Sequence, residues 1–267
     1  DVSGYIVPDA PATATDDCDI TLDPTGDNDQ AQIINALVDN DLTDKTLCLD
    51  VGTWDMGGTV GITDDPGLTL KGIGDSPDQV VLDYADEDGN CRGLKGISAG
   101  VDNVTIENLW VKNTCENGIE QRNVDGSVFR KVMVSWDDRC ERPNPPANCD
   151  AVCNADTPCV DERLTCTTEL EGGIEGVCVG NMTLNGAYGV YPTDCSNTLV
   201  EYSQVQGASD AGIYVGKCTG GSVENNIVYE NVAGLEVENC VGVDASNNTA
   251  FDNVGGLFAL QQDISGD

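Results

Sequence analysis

Between Asn185 and Leu260 this chain repeats itself, and nothing else in it limits the possible folds as sharply. Gly189, Gly212, Gly234 and Gly256 recur every 22–23 residues. Each opens a short extended triplet: Val190-Tyr-Pro, Ile213-Tyr-Val, Leu235-Glu-Val and Leu257-Phe-Ala. Six residues after the first three glycines stand Cys195, Cys218 and Cys240. A fixed period of this size with polar corners marks a solenoid. One turn cannot bury its apolar side alone, so turns stack and share a core. About 22 residues suffice for three short strands and three corners. The reading is an all-β chain, a right-handed parallel β-helix.

Side chains alternate across a strand, and stacked strands lie roughly 4.8 Å apart. Val190, Ile213, Leu235 and Leu257 are therefore expected to point inward, with Val215 and Val237 two positions on. Tyr191, Tyr214, Glu236 and Phe258 are expected to point outward and form a continuous stripe. Gly118-Ile-Glu120 has the same pattern and adds Glu120 to it. Asn225-Asn226 and Asn247-Asn248 suit tight corners, since Asn tolerates left-handed backbone and its amides can stack in a ladder.

The 267 residues fit one elongated β-helix domain. Residues 1–17 read as an extended N-terminal arm, 18–138 as an N-terminal cap and first turns, 139–182 as an insert, and 183–267 as regular turns. Ile33, Ile34, Leu37 and Val38 share one face of a short helix, with Asp27 or Asp29 able to cap it. Such a helix would cover the open end of the solenoid, where unpaired strand edges are a liability. The segment Asp83 to Asn90 resembles the start of a calcium loop, which makes Asp83, Asp86 and Asp88 candidate Ca²⁺ ligands. No glutamate stands at the twelfth position of that loop. The final residues show no polar cap, so a partner or further chain is expected over that end.

Thirteen cysteines and no histidine exclude mixed Cys/His zinc sites, and paired CxxC motifs are absent. Disulfides are the better reading and imply an oxidising compartment, hence a secreted or cell-surface protein. The start at Asp1, without Met or a leader, agrees with a processed secreted chain. Cys18 and Cys48 flank the helix. Cys91 and Cys115 are about one turn apart, within bridging range of adjacent turns. Cys140, Cys149, Cys153, Cys159, Cys166 and Cys178 read as a loop stapled by three disulfides whose connectivity spacing does not reveal. That loop is either a specificity element or a passive decoration. Cys195, Cys218 and Cys240 are either three buried thiols or one oxidised pair and a free third.

The formal net charge is −35. Such a surface repels nucleic acid and anionic membranes, and no run of 18 apolar residues would span a bilayer. It would repel a polyuronate too, unless divalent cations bridged them. Acidity serves solubility in salty surroundings or a specific role for Ca²⁺; no cofactor is otherwise required.

Thr25-Gly-Asp-Asn-Asp-Gln-Ala-Gln-Ile-Ile, Gly52-Thr-Trp54, Asn185-Gly-Ala-Tyr-Gly-Val-Tyr-Pro and Gly207-Ala-Ser-Asp-Ala-Gly-Ile-Tyr-Val-Gly together resemble secreted parallel β-helix repeat proteins of the pectate-lyase-like superfamily. The resemblance covers nearly all but the insert and the first residues. It implies the fold and leaves activity open, because lyases, hydrolases, epimerases and adhesins share it. Tyr188-Gly-Val-Tyr-Pro-Thr-Asp194 is similar to the mannuronan C5-epimerase motif Tyr-Gly-x-Asp-Pro-His-Asp, with Tyr191 and Thr193 in place of its Asp and His. Proton abstraction beside a uronate needs a base, an acid and a cation. Tyr191, Tyr214, Lys217, Asp194 and Asp210 are the candidates, with Tyr188 nearby; an Asp194–Lys217 contact reads equally well as a plain ion pair. Two functions follow. One is a structural or adhesive module that contacts glycans through Glu120, Tyr191, Tyr214, Glu236 and Phe258 and assembles with copies of itself through its ends. The other is a polysaccharide lyase or uronate epimerase working in a Tyr/Lys/Asp groove with Ca²⁺.

Overall fold

A computed structural model describes residues 4–8, 10–11, 17–137, 140, 149, 151–154, 158–160, 164–167 and 176–260. The chain winds through three parallel sheets of eight, seven and seven strands, called sheets I, II and III here. One turn runs Thr46–Leu49 on sheet I, Gly52–Asp55 on sheet II and Val60–Ile62 on sheet III, then returns to sheet I at Thr69–Gly72. The result is a right-handed parallel β-helix.

Period becomes register, and register becomes core. On sheet I, Leu47, Leu70, Ile106, Phe129, Val200 and Val223 stand in one inward column. On sheet II the column is Trp54, Leu82, Val111, Val134, Val205 and Val228. On sheet III it is Val60, Ile97, Ile119, Val190, Ile213 and Leu235. All of these are buried. Each such side chain is worth about 1.5–3 kcal/mol of burial, so the columns outweigh any single corner contact. Val215 is buried, while Val237 is only partly covered. Leu257 continues the sheet III column but is 52% exposed, against expectation. Its strand, Gly255–Leu260, has a neighbour on one side only among the described residues, so none of them covers its outer edge.

The repeated glycine has a packing cause. A Cβ on Gly189 would lie 2.2 Å from Val205 Cγ1 and 2.5 Å from the Gly212 carbonyl oxygen. The sheet III strand is entered where the sheet II column already fills the space.

The corners divide labour between neighbouring asparagines. Asn225 and Asn247 take left-handed backbone, with φ of 59° and 55°. Asn226 and Asn248 turn inward and link in a ladder, with Asn226 Nδ2 donating to Asn248 Oδ1 at 2.9 Å. Asn231 and Asn253 form a second ladder at 3.0 Å.

The helix spans Asp29–Asp39 and packs on the first turn through Ile33 and Ala36. Val38, expected on that face, is 76% exposed because the helix is rotated to bring Ala36 down. Neither Asp27 nor Asp29 is the N-cap; Asn28 is, without a side-chain cap bond. Asp29 instead ties the entry loop together. Its buried carboxylate accepts from Thr25 N and Oγ1, Gly26 N, Gln32 Nε2 and Asp55 N.

Disulfides join Cys18 to Cys48 and Cys91 to Cys115. The insert leaves the solenoid between sheets II and III and contains a small antiparallel sheet of Val152–Cys153, Leu164–Thr167 and Gly176–Gly180. Its bridges are Cys140–Cys149, Cys153–Cys166 and Cys159–Cys178. In the regular turns Cys195 pairs with Cys218, and Cys240 is a buried free thiol.

The described part of the arm is docked on the solenoid. Tyr5 and Val7 pack with Tyr202, Ile227, Tyr229 and Phe251 on the sheet II side. The buried Gln204 amide reads the arm's backbone, accepting from Ile6 N at 2.9 Å and donating to the Gly4 carbonyl at 3.0 Å.

Candidate glycan-contact face

The outward positions of sheet III form the candidate site. Ser98, Glu120, Tyr191, Tyr214, Glu236 and Phe258 stand on successive strands in one column. The side chain of Phe258 lies outside the described residues. At the centre, three tyrosines meet. Tyr188, just before its strand, stacks on Tyr191 with ring centroids 4.4 Å apart and planes 15° apart. Tyr214 sits 5.1 Å from each. All three are half-buried. The ring of Tyr214 lies across Gly216, where a Cβ would come within 2.3 Å of it.

Two phenols are pinned. Tyr214 donates to Glu238 Oε2 at 2.6 Å, and Tyr188 hydrogen-bonds Asp210. Burial, and then these bonds and nearby carboxylates, push both phenols above the ordinary tyrosine range. A phenol that is harder to ionise and already donating to a carboxylate is a poor general base. Glu236 is raised by burial and by its neighbours Asp210 and Glu238.

Glu120 departs from expectation. It stands in the outward column, yet only 2% of it is exposed. Lys95 and Arg122 close over it as ion pairs, and Asn117 Nδ2 donates to it at 2.6 Å. Burial alone would raise its carboxyl; the bonds from Lys95, Arg122 and Asn117 outweigh that and hold it below the ordinary range. Arg122 then reaches the tyrosines, its Cζ 5.1 Å from the Tyr191 ring centroid. Lys95, Asn117 and Arg122 were missed in the sequence. Aligning Lys95-Gly96-Ile97 under Asn117-Gly118-Ile119 would have revealed Lys95 and Asn117, because that register sets Lys95 one turn from Glu120, and strand alternation would have put Arg122 beside Glu120.

The five candidate catalytic residues separate. Tyr191, Tyr214 and Asp210 are on the tyrosine face. Asp194 and Lys217 are corner residues with left-handed φ of 51° and 53°, alongside Asn123 and Asn239 in the same corner positions. They line a shallow hollow with Asp102, Asp125 and Ser196, and no salt bridge joins them among the described residues.

Asp83, Asp86 and Asp88 do not converge as metal ligands. Asp86 folds its carboxylate onto its own loop, accepting from Asp88 N and Asn90 N. Asp83 accepts from Ala85 N and Asn113 Nδ2. Among the described residues, the one group of three ligand-type side chains within ion-holding range is Cys153, Cys159 and Cys178, and all three are in disulfides.

The fold is a right-handed parallel β-helix. The family model described as a right-handed β-helix region matches residues 169–264. The chain is similar in structure to the A-module of the mannuronan C-5 epimerase AlgE6 from Azotobacter vinelandii, with a TM-score of 0.55 and 17% identity. That match covers 86% of this chain and 53% of the module, so the chain spans about half of the epimerase module's length. Escherichia coli YbhC aligns at a TM-score of 0.39 and 12% identity, over 91% of this chain and 69% of that one. A rice weevil pectin methylesterase aligns at 0.36 and 14%, over 91% and 71%. No curated protein matches the chain by sequence.

Proposed function

We propose that this chain is a glycan-contacting β-helix module of an extracellular, oxidising environment, and that it acts by binding through the tyrosine face. The observation that carries this reading is the cluster of Tyr188, Tyr191 and Tyr214 on the outer side of sheet III. Ring faces offer apolar contact to the C–H face of a sugar, and phenols and carboxylates beside them offer hydrogen bonds to hydroxyls. The disulfides fit an oxidising compartment. The epimerase module that this fold resembles is named for a polysaccharide substrate.

Turnover is the weaker reading. Tyr188 and Tyr214 donate to carboxylates, Thr193 stands where the epimerase motif has histidine, and Lys217 is at a corner. Retention in polysaccharide-containing gels tests binding. The native chain is expected to be retarded by a glycan, and Tyr191→Ala to lose most of that retardation. Ultraviolet absorbance of unsaturated product, or a changed uronate composition after incubation, would replace binding with catalysis. Equal mobility of wild type and Tyr191→Ala in every gel would sink the reading.

A further inference from the structure

We propose, resting on that reading, that the tyrosine face takes uncharged polysaccharides and rejects polyuronates. The basis is the charge that each turn brings to the rings. On the side of the earlier turns, the nearby cations are Lys95 and Arg122, and both are engaged by the buried Glu120. Their ion pairs leave a single unit of positive charge there. On the side of the later turns stand Asp210, Glu236 and Glu238. None of these three forms a salt bridge among the described residues. Asp210 and Glu238 receive the hydroxyls of Tyr188 and Tyr214 and are held beside the rings by them. Glu236 follows Tyr214 in the column.

A sugar chain lying over the rings along the solenoid axis therefore meets fixed carboxylates on successive turns, roughly 4.8 Å apart. Carboxylates accept hydrogen bonds from hydroxyls well. They repel a uronate carboxylate at the same distance, and like charges brought together across an interface oppose binding strongly. A bridging divalent cation would lift that repulsion only where several ligand oxygens converge. These carboxylates are not within ion-holding range of one another as a group of three. The overall charge of −35 adds a longer-range repulsion, which salt screens.

Two matched pairs test this: polygalacturonate and polymannuronate, each against its own carboxyl-reduced form. Linkage is unchanged within a pair and only the charge differs. At low salt the reduced polymers are expected to bind the full chain at least about tenfold more tightly than the uronates. Raising salt should narrow the gap by improving uronate binding, with little effect on the reduced form. The double variant Glu236→Gln/Glu238→Gln, checked by circular dichroism for native folding, should raise uronate affinity and weaken the reduced polymers, which lose charged acceptors for their hydroxyls, so that the gap within each pair closes. Uronate binding as tight as or tighter than that of the reduced form overturns the charge assignment and leaves the glycan face standing. Failure of all four polymers to bind the wild type overturns both.

Discussion

The three tyrosines of sheet III are held differently, and their substitutions should part accordingly. Tyr188 and Tyr214 each have a carboxylate partner, so removing either also frees a charge. Tyr191 contributes its ring alone to the cluster, against Tyr188 and Arg122. Its replacement is the cleanest probe of stacking. Glu120 is structural by comparison. Replacing it by Gln leaves Lys95 and Arg122 without their shared partner, and a loss of about 2 kcal/mol in unfolding free energy is expected by urea denaturation. The pH dependence has a defined sign. Because the folded state lowers the Glu120 pKa, its contribution is present above the ordinary value of about 4.3 and disappears as pH falls through the lower folded value. The Gln variant should therefore lose less stability than wild type on acidification. Glu236 runs the other way. Its folded pKa is raised, so its contribution is present at low pH and lost as pH rises through that value. Glu236→Gln is expected to raise the melting temperature at pH 7 and not at pH 3.5.

At the scale of elements, the arm and the cysteine ladder make separate predictions. Gln204 is a buried amide whose two ends read the arm's backbone. Gln204→Ala should release residues 4–8, seen as faster amide exchange there and earlier cleavage of the arm by protease. Unchanged exchange would mean that the aromatic contacts of Tyr5 suffice. Cys240 is 7% exposed, and burial raises its thiol further. Alkylation without reductant should modify one cysteine per chain, rapidly only after unfolding, and peptide mapping should place it at residue 240. A label on Cys195 or Cys218 would contradict the pairing. Much of this scale was legible in the sequence, because repeats place residues a turn apart at fixed offsets. The inward columns, the glycine at each turn, the Asn ladder and the Cys91–Cys115 bridge all follow from that offset. The burial of Glu120 did not follow, since it depends on which charged side chains an adjacent turn supplies. Neither did the docking of the arm, which joins Ile6 to Gln204 across 198 positions of sequence. The insert's disulfides lack any period to read.

The whole molecule combines a stiff, aliphatic solenoid with three faces of different character. Sheet II carries Tyr229 and Phe251, with Tyr202 at the corner before it, but the arm packs against them. On sheet III the tyrosine cluster lies on the outer face, half-buried. That contrast is why sheet III, and not sheet II, is proposed as the contact surface. Gly189→Ala, which forces a Cβ toward Val205 in the shared core, should cost about 1–3 kcal/mol and weaken binding only through loss of the fold. Ring-labelled tyrosine NMR during titration with an uncharged polysaccharide tests the central claim most directly. The chain has seven tyrosines, so the resonances are few enough to assign by substitution. The rings of Tyr188, Tyr191 and Tyr214 should shift together on binding, while Tyr84 in the core, Tyr5 in the arm, and Tyr202 and Tyr229 beneath the arm stay fixed. Shifts confined to Tyr5, Tyr202 and Tyr229, with the sheet III rings unmoved, would contradict it.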